Sequence, residues 1–207
     1  MLLPGTGPSR VHLIVYISVQ VILTALTITS LALHEWFKYC FWDFGLVYAH
    51  SFYPSVQEVY ADTTIADVRS DWCDQDTGVD DYCPEFCTYV SGFQSAGGFM
   101  VFIGVVTILS ALTTVALHAL ALAGRPLKHW LVWVWLSLPG AIWLLGTIIY
   151  GGVTNLAGVE TVHRTKVLRP RDAEARSGLI LCAVLVVLQG FLLLYALLTT
   201  RKAFTRD

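Results

Sequence analysis

The sequence predicts an all-α membrane protein: a four-transmembrane-helix bundle with a small extracellular antiparallel β-sheet cap. Three observations lead there. Of 207 residues, 56% are hydrophobic and 14% charged, where soluble domains carry about 25% charged residues. Four runs free of Asp, Glu, Lys and Arg (Val11–Leu33, Gly97–Gly124, Trp130–Val159 and Ser177–Thr200) each exceed the roughly 20 residues a helix needs to cross the hydrocarbon core. Between the first two runs lies a polar insert, residues 34–97. It holds Cys40, Cys73, Cys83 and Cys87 and 11 of the 15 acidic residues. Barrel strands are a poor alternative. They would run about 10 residues with alternating polarity, whereas these runs are apolar on every face.

The elements follow in order. Residues 1–10 are a Pro/Gly-bearing cytosolic tail, 11–33 the first span and 34–97 an extracellular loop domain. Residues 98–123 form the second span, 124–129 a cytosolic turn and 130–152 the third span. A second extracellular loop (153–176), the fourth span (177–200) and a cytosolic tail (201–207) complete the chain. Ser30-Leu31-Ala32 offers a small-x-small cleavage site, so a signal peptide is the alternative for the first run. That run is longer than the about 7–15 residues of an h-region, which favours a retained span. Gly124-Arg125-Pro126 closes the second span. Pro139-Gly140 interrupts the third, and a neighbouring helix is expected to satisfy the carbonyl that proline frees.

Orientation rests on the cysteines. The terminal side carries Arg10, Arg125, Lys128, Arg201, Lys202 and Arg206, and the second loop carries Arg164, Lys166, Arg169, Arg171 and Arg176. The positive-inside count is therefore balanced. Four cysteines in one loop suit an oxidising compartment. This places the protein in the plasma membrane with cytosolic termini; an organellar or mitochondrial inner membrane is the alternative.

Within the insert, aromatic patches at Trp36-Phe37, Phe41-Trp42, Phe44 and Phe52-Tyr53 come first. Val56, Val59, Thr63, Thr64, Ile65 and Val68 then read as short strands, and Gly78 marks a turn. Four cysteines allow three pairings. The turn at Gly78 favours Cys73 with Cys83, which leaves Cys40 with Cys87; a free Cys40 or Cys87 is the alternative. Cys182, inside the fourth span, reads as a packing residue. A zinc half-site at Cys83-x-x-x-Cys87 has permissible spacing, but disulfide is the better default outside the cell.

Leu33-His34-Glu35-Trp36-Phe37-Lys38-Tyr39 resembles the segment whose tryptophan closes helix 1 in the claudin and peripheral myelin protein superfamily. Trp72-Cys73 through Tyr82-Cys83 is similar to that family's first-loop signature, a tryptophan followed by two cysteines about ten residues apart. Phe93-Gln94-Ser95-Ala96-Gly97-Gly98 resembles the start of its second helix. The resemblance follows the topology along nearly the whole chain and implies a divergent member, with Trp36, Trp72, Cys73 and Cys83 as family residues. Cys40 and Cys87 fall outside the pattern. The family's function implies a non-enzymatic protein acting in cell–cell contact, as in cell adhesion and cell junctions.

Asp71, Asp74, Asp76, Asp80, Asp81 and Glu85 form an acidic cluster in the insert, whose only basic residues besides histidine are Lys38 and Arg69. Such a surface attracts cations. Counted as an EF-hand loop from Asp74, it puts Val79 at the glycine position and Gly78 at a ligand position, so a solvated face is the reading and no metal site is assigned. His12, Gln20, His118 and Gln189 lie within spans, where polar residues are functional candidates; the plainer reading is interhelical hydrogen bonding and, for His12 at the start of its span, interfacial water. No P-loop, HExxH, Rossmann or nucleophile-elbow pattern occurs. The expectation is therefore a claudin-like integral membrane protein, not an enzyme, with no cofactor and no nucleic-acid partner. Its partners are the lipid bilayer and either itself or another membrane protein, with cations at the acidic loop. An ion channel auxiliary subunit and a small transporter are the alternatives.

Overall fold

A computed structural model describes residues 10–33, 35–39, 42–51, 63–74, 86–125, 129–154, 174–175 and 177–204. In chain order the elements are α1 (Arg10–Ala32), β1 (Phe37–Tyr39), β2 (Trp42–Phe44), β3 (Tyr48–Ser51), β4 (Thr63–Thr64), α2 (Ile65–Trp72), α3 (Phe86–Leu122), α4 (His129–Val153), β5 (Glu174–Ala175) and α5 (Ser177–Phe204). Helices α1, α3, α4 and α5 are each long and apolar enough to cross a membrane. Their exposed side chains include Ile22, Phe102, Leu109, Ile148 and Phe191. Water would penalise that surface and lipid does not. The chain is thus a multi-pass, predominantly helical membrane protein with a small antiparallel sheet.

Two compact units divide the chain. The terminal unit comprises Met1–Thr29, Gly104–Leu144 and Ala183–Asp207, and the sheet-bearing unit Ser30–Ile103 and Leu145–Cys182.

In the sheet-bearing unit the strand order is β4-β3-β2-β1-β5, antiparallel throughout. Alternation decides which face is buried. Phe37 and Tyr39 in β1 and Trp42 and Phe44 in β2 point to one side and are buried, while Lys38 and Asp43 are only partly buried. The register pairs Phe37 with Phe44 and Tyr39 with Trp42, so large aromatic side chains stand opposite one another across the ladder, the arrangement that stabilises paired strands. Ile65 and Val68 of α2 and Phe86, Tyr89, Val90 and Phe93 of α3 close this core. Phe44 lies 4.9 Å from Phe93 between ring centroids, and Phe37 5.2 Å.

Three expectations for the insert are corrected. Thr63 and Thr64 are strand, but Ile65 and Val68 are helical; Val56 and Val59 lie outside the described residues. The helix wins because Thr64 and Asp67 form a capping box. The Asp67 backbone N–H donates to the Thr64 hydroxyl (3.2 Å), and the Thr64 backbone N–H donates to the Asp67 carboxylate (3.4 Å). Second, α3 begins at Phe86, not near Gly98. Its 37 residues span about 55 Å at 1.5 Å per residue, well beyond a hydrocarbon core of about 30 Å. The first turns escape a hydropathy criterion because they are amphipathic: Phe86, Tyr89, Val90 and Phe93 are buried, while Thr88 is exposed. Third, Cys73 is bonded to Cys87, not Cys83. Cys73 is the C-cap of α2 and Cys87 sits in the first turn of α3, which brings their Cα atoms to 5.5 Å, the usual disulfide separation. Both expected bridges are excluded together, since each needed one of these sulfurs. Cys40 and Cys83 lie outside the described residues.

In the terminal unit the helix segments meet pairwise around a ring. α1 touches α5 where the Tyr16 hydroxyl lies 2.6 Å from the Thr199 hydroxyl. It touches α3 where Tyr16 stands edge-on to His118 at 5.7 Å. α3 meets α4 at Thr114 and Trp135, 2.7 Å apart. α4 meets α5 at Gly140, where an added Cβ would stand 3.1 Å from the Gln189 Cβ. Gly124, at φ +89°, ends α3. The Arg125 N–H reaches the Leu120 carbonyl and the Gly124 N–H the Ala121 carbonyl, each at 3.1 Å, a Schellman closure that favours glycine.

The Thr114 contact accounts for Pro139 inside α4. Proline has no N–H for the carbonyl four residues back, which is that of Trp135. The Thr114 hydroxyl donates to that carbonyl at 2.7 Å. Thr114→Val keeps the shape and deletes the donor. It is expected to cost about 0.6–1.7 kcal/mol, the measured span of interhelical hydrogen bonds in membranes, read as reduced resistance to denaturation in detergent.

Candidate functional site

The residues predicted from sequence separate into a structural group and an exposed group. Trp36 is fully buried. Its indole N–H donates to the Ser30 carbonyl at 2.9 Å, a carbonyl in the last turn of α1 that also accepts the Leu33 N–H at 3.4 Å. Its ring lies 5.3 Å from Tyr150 and against Gly178, where an added Cβ would stand 2.6 Å from the indole nitrogen. The flanking backbone ties in as well: the Trp36 N–H donates to the Phe44 carbonyl and the Gly178 N–H to the Glu35 carbonyl, both at 2.8 Å. One side chain therefore caps a span, and its immediate neighbours start the sheet and dock α5. Trp72 packs on the aromatic core, edge-on to Trp42 at 6.0 Å. Cys73 is held in the bridge to Cys87.

The acidic group is only partly described. Asp71 is partly buried and Asp74 exposed; Asp76, Asp80, Asp81 and Glu85 lie outside the described residues, as does Cys83. Among the described residues no three His, Cys, Asp or Glu side chains come close enough to hold a metal ion.

Beside these residues the sheet-bearing unit presents an apolar groove of about 270 Å³, lined by Leu31, Ala32 and Leu33 at the end of α1 and by Gly45, Leu46, Val47 and Tyr48 in the β2–β3 turn. Val47 is 43% and Tyr48 47% exposed. The turn is held from behind by Gly97, whose missing side chain admits the Leu46 carbonyl; a Cβ there would overlap backbone. Gly97 thus leaves a helix face bare enough for the β2–β3 turn to lie on it.

The terminal unit contains a second arrangement. His12, Tyr16 and Gln20 follow one another at intervals of four on α1, which is one helix face. The His12 Nδ1 lies 2.8 Å from the Tyr195 hydroxyl, and Tyr16 stands edge-on to Tyr195 at 5.8 Å. On α3, Thr107, Ser110, Thr114 and His118 are all buried, as is Gln189 on α5. His12, which the sequence places at interfacial water, makes an interhelical contact instead, whereas Gln20 and His118 Nε2 have no protein hydrogen-bond partner among the described residues. Tyr16, Tyr195 and Thr114 were not among the residues expected from sequence. The four-residue spacing of His12, Tyr16 and Gln20 was the available signal.

A scan against protein-family models found no match to this chain, and neither did a search of curated proteins.

Proposed function

We propose that this chain is a non-enzymatic membrane protein that works by assembling, with a second copy or with another membrane protein, through its sheet-bearing unit. In this reading the unit lies on the extracellular side of the plasma membrane and the termini are cytosolic. The observation that carries it is the pairing of a rigid body with an open apolar rim. The aromatic core takes in Trp42 and Phe44 of β2 and Ala49 of β3 and the Cys73–Cys87 bridge ties the helices that close it, while Val47 and Tyr48 remain about half exposed beside the groove at the end of α1. Exposed apolar patches rimmed by polar residues mark protein contact sites. The resemblance to claudins points the same way, and an oxidised bridge suits the extracellular side. A place at the end of a span favours contact within one membrane, so an ion channel auxiliary subunit is the second reading.

Purification in mild detergent with identification of the accompanying proteins tests both. Homotypic oligomers support self-assembly, and one larger membrane protein in fixed ratio supports the auxiliary reading. Purification as a lone monomer, without homotypic contacts between expressing cells, removes both. Val47→Asp puts a charge on the rim without touching the core. It is expected to reduce assembly, seen as a shift to smaller particles in size-exclusion chromatography, while the thermal transition stays in place.

A further inference from the structure

The terminal unit contains buried polar atoms that protein does not satisfy. His118 is 1% exposed, and its Nδ1 lies 2.7 Å from the Thr114 carbonyl. A carbonyl only accepts, so Nδ1 bears the proton. In the neutral ring Nε2 is then an acceptor, and it is buried without a protein partner among the described residues. Gln20 is likewise 1% exposed, with both its amide nitrogen and its amide oxygen unpartnered. Both side chains adjoin Tyr16. His118 meets the Tyr16 ring at 5.7 Å, and Gln20 is one turn farther along α1, about 6 Å by helix rise. The Tyr16 hydroxyl is already engaged with Thr199. Gln189 adds another buried, unpartnered amide oxygen in the same unit.

An unsatisfied polar group costs several kcal/mol in hydrocarbon, so four such side chains in one membrane-spanning unit, Gln20, His118, Gln189 and Thr107 with its hydroxyl, call for an occupant. Its chemistry follows from the groups themselves. Gln20 Oε1, Gln189 Oε1 and His118 Nε2 accept, Gln20 Nε2 donates, and the Thr107 hydroxyl does either. The occupant must donate at least as readily as it accepts. It must also be neutral, because the runs Val11–Leu33, Gly97–Gly124, Trp130–Val159 and Ser177–Thr200 carry no Asp, Glu, Lys or Arg to balance a charge. An apolar ligand would leave every one of these atoms unpaired.

We propose that the terminal unit binds internal water beside Tyr16, held by the Gln20 amide and His118 Nε2. Such water links α1 to α3 in the unit that has neither the sheet nor the described disulfide. The proposal is independent of the assembly reading.

The test uses the full-length protein in lipid bilayers, labelled with ¹⁵N and ¹³C, and water-edited solid-state NMR. The His118 ring nitrogens are assigned in the unaltered protein through correlations to the His118 backbone. Polarisation is expected to pass from water to His118 Nε2. Its absence, with transfer observed to loop residues in the same sample, overturns the proposal. Gln20→Leu removes one side of the site while preserving volume, and transfer to Nε2 is expected to become several-fold weaker. Unchanged transfer together with a raised melting temperature overturns it too, since a dry, unpaired amide is stabilised by removal. Should Gln20→Leu fail to fold, the measurement on the unaltered protein decides alone.

Discussion

Trp36→Ala is expected to destabilise the sheet-bearing unit by about 3–5 kcal/mol, the range for deleting a buried large aromatic side chain. The side chain is fully buried and its neighbours cannot collapse onto the space. Gly178 has no side chain to offer, and Tyr150 is fixed in its own helix. The loss also frees the Ser30 carbonyl from its indole donor, 2.9 Å away. Trp36→Phe separates the two contributions: it retains most of the ring and deletes the N–H, so it should cost distinctly less. Gly178→Ala attacks the same contact from α5, because the new methyl would meet the indole ring, and should cost about 1–3 kcal/mol by overpacking. Thermal unfolding in detergent measures all three. A wild-type transition for Trp36→Ala would mean that the indole is not the keystone between α1, β1 and α5.

The spans were legible because length and absence of charge suffice to identify them, and the predicted boundary at Leu33 differs from the end of α1 at Ala32 by one residue. The aromatic patches at Trp36-Phe37, Trp42 and Phe44 were visible as composition, but their strand pairing depended on partners distant in sequence. β5, for instance, joins the sheet from beyond α4 and carries no periodic signal in two residues. α2 is hidden in the sequence because Thr63-Thr64-Ile65 reads as β-branched strand, while the decisive signal is the Thr64–Asp67 capping box. The extent of α3 was missed for a different reason. Hydropathy detects burial in lipid, whereas its first turns bury one face against a sheet. The polar interior was visible residue by residue, in Gln20, His118 and Gln189, but not as an ensemble, because that requires knowing which helices adjoin.

The disulfide error and the helix error have one origin. If residues 83–97 were loop, a hairpin at Gly78 would bring Cys83 to Cys73. Because α3 starts at Phe86, its first turn stands beside the end of α2 and brings Cys87 to Cys73. The bridge thus joins the two helices that close the aromatic core, Ile65 and Val68 from one side and Phe86, Tyr89, Val90 and Phe93 from the other. It encloses the acidic residues Asp74, Asp76, Asp80, Asp81 and Glu85 in a loop whose ends are fixed.

Cys73→Ser should therefore cost the sheet-bearing unit about 3 kcal/mol, the loop-closure value for a bridge spanning some fifteen residues. Cys87→Ser should match it, and the double variant should cost no more than either single one, because the two sulfurs make one interaction. The pairing itself is checked by peptide mapping. Trypsin is the wrong protease, since no Lys or Arg lies between residues 73 and 87. Cleavage at acidic residues cuts the loop at Asp74, Asp76, Asp80, Asp81 and Glu85, which separates Cys73 from Cys83 and both from Cys87. Without reductant, the peptide bearing Cys73 is expected to travel with the one bearing Cys87 and to part from it on reduction. A Cys73–Cys83 peptide would instead contradict the Cys73–Cys87 bridge. Free thiols at both positions in protein taken directly from cells would remove the bridge, and with it the extracellular placement on which the proposed assembly depends.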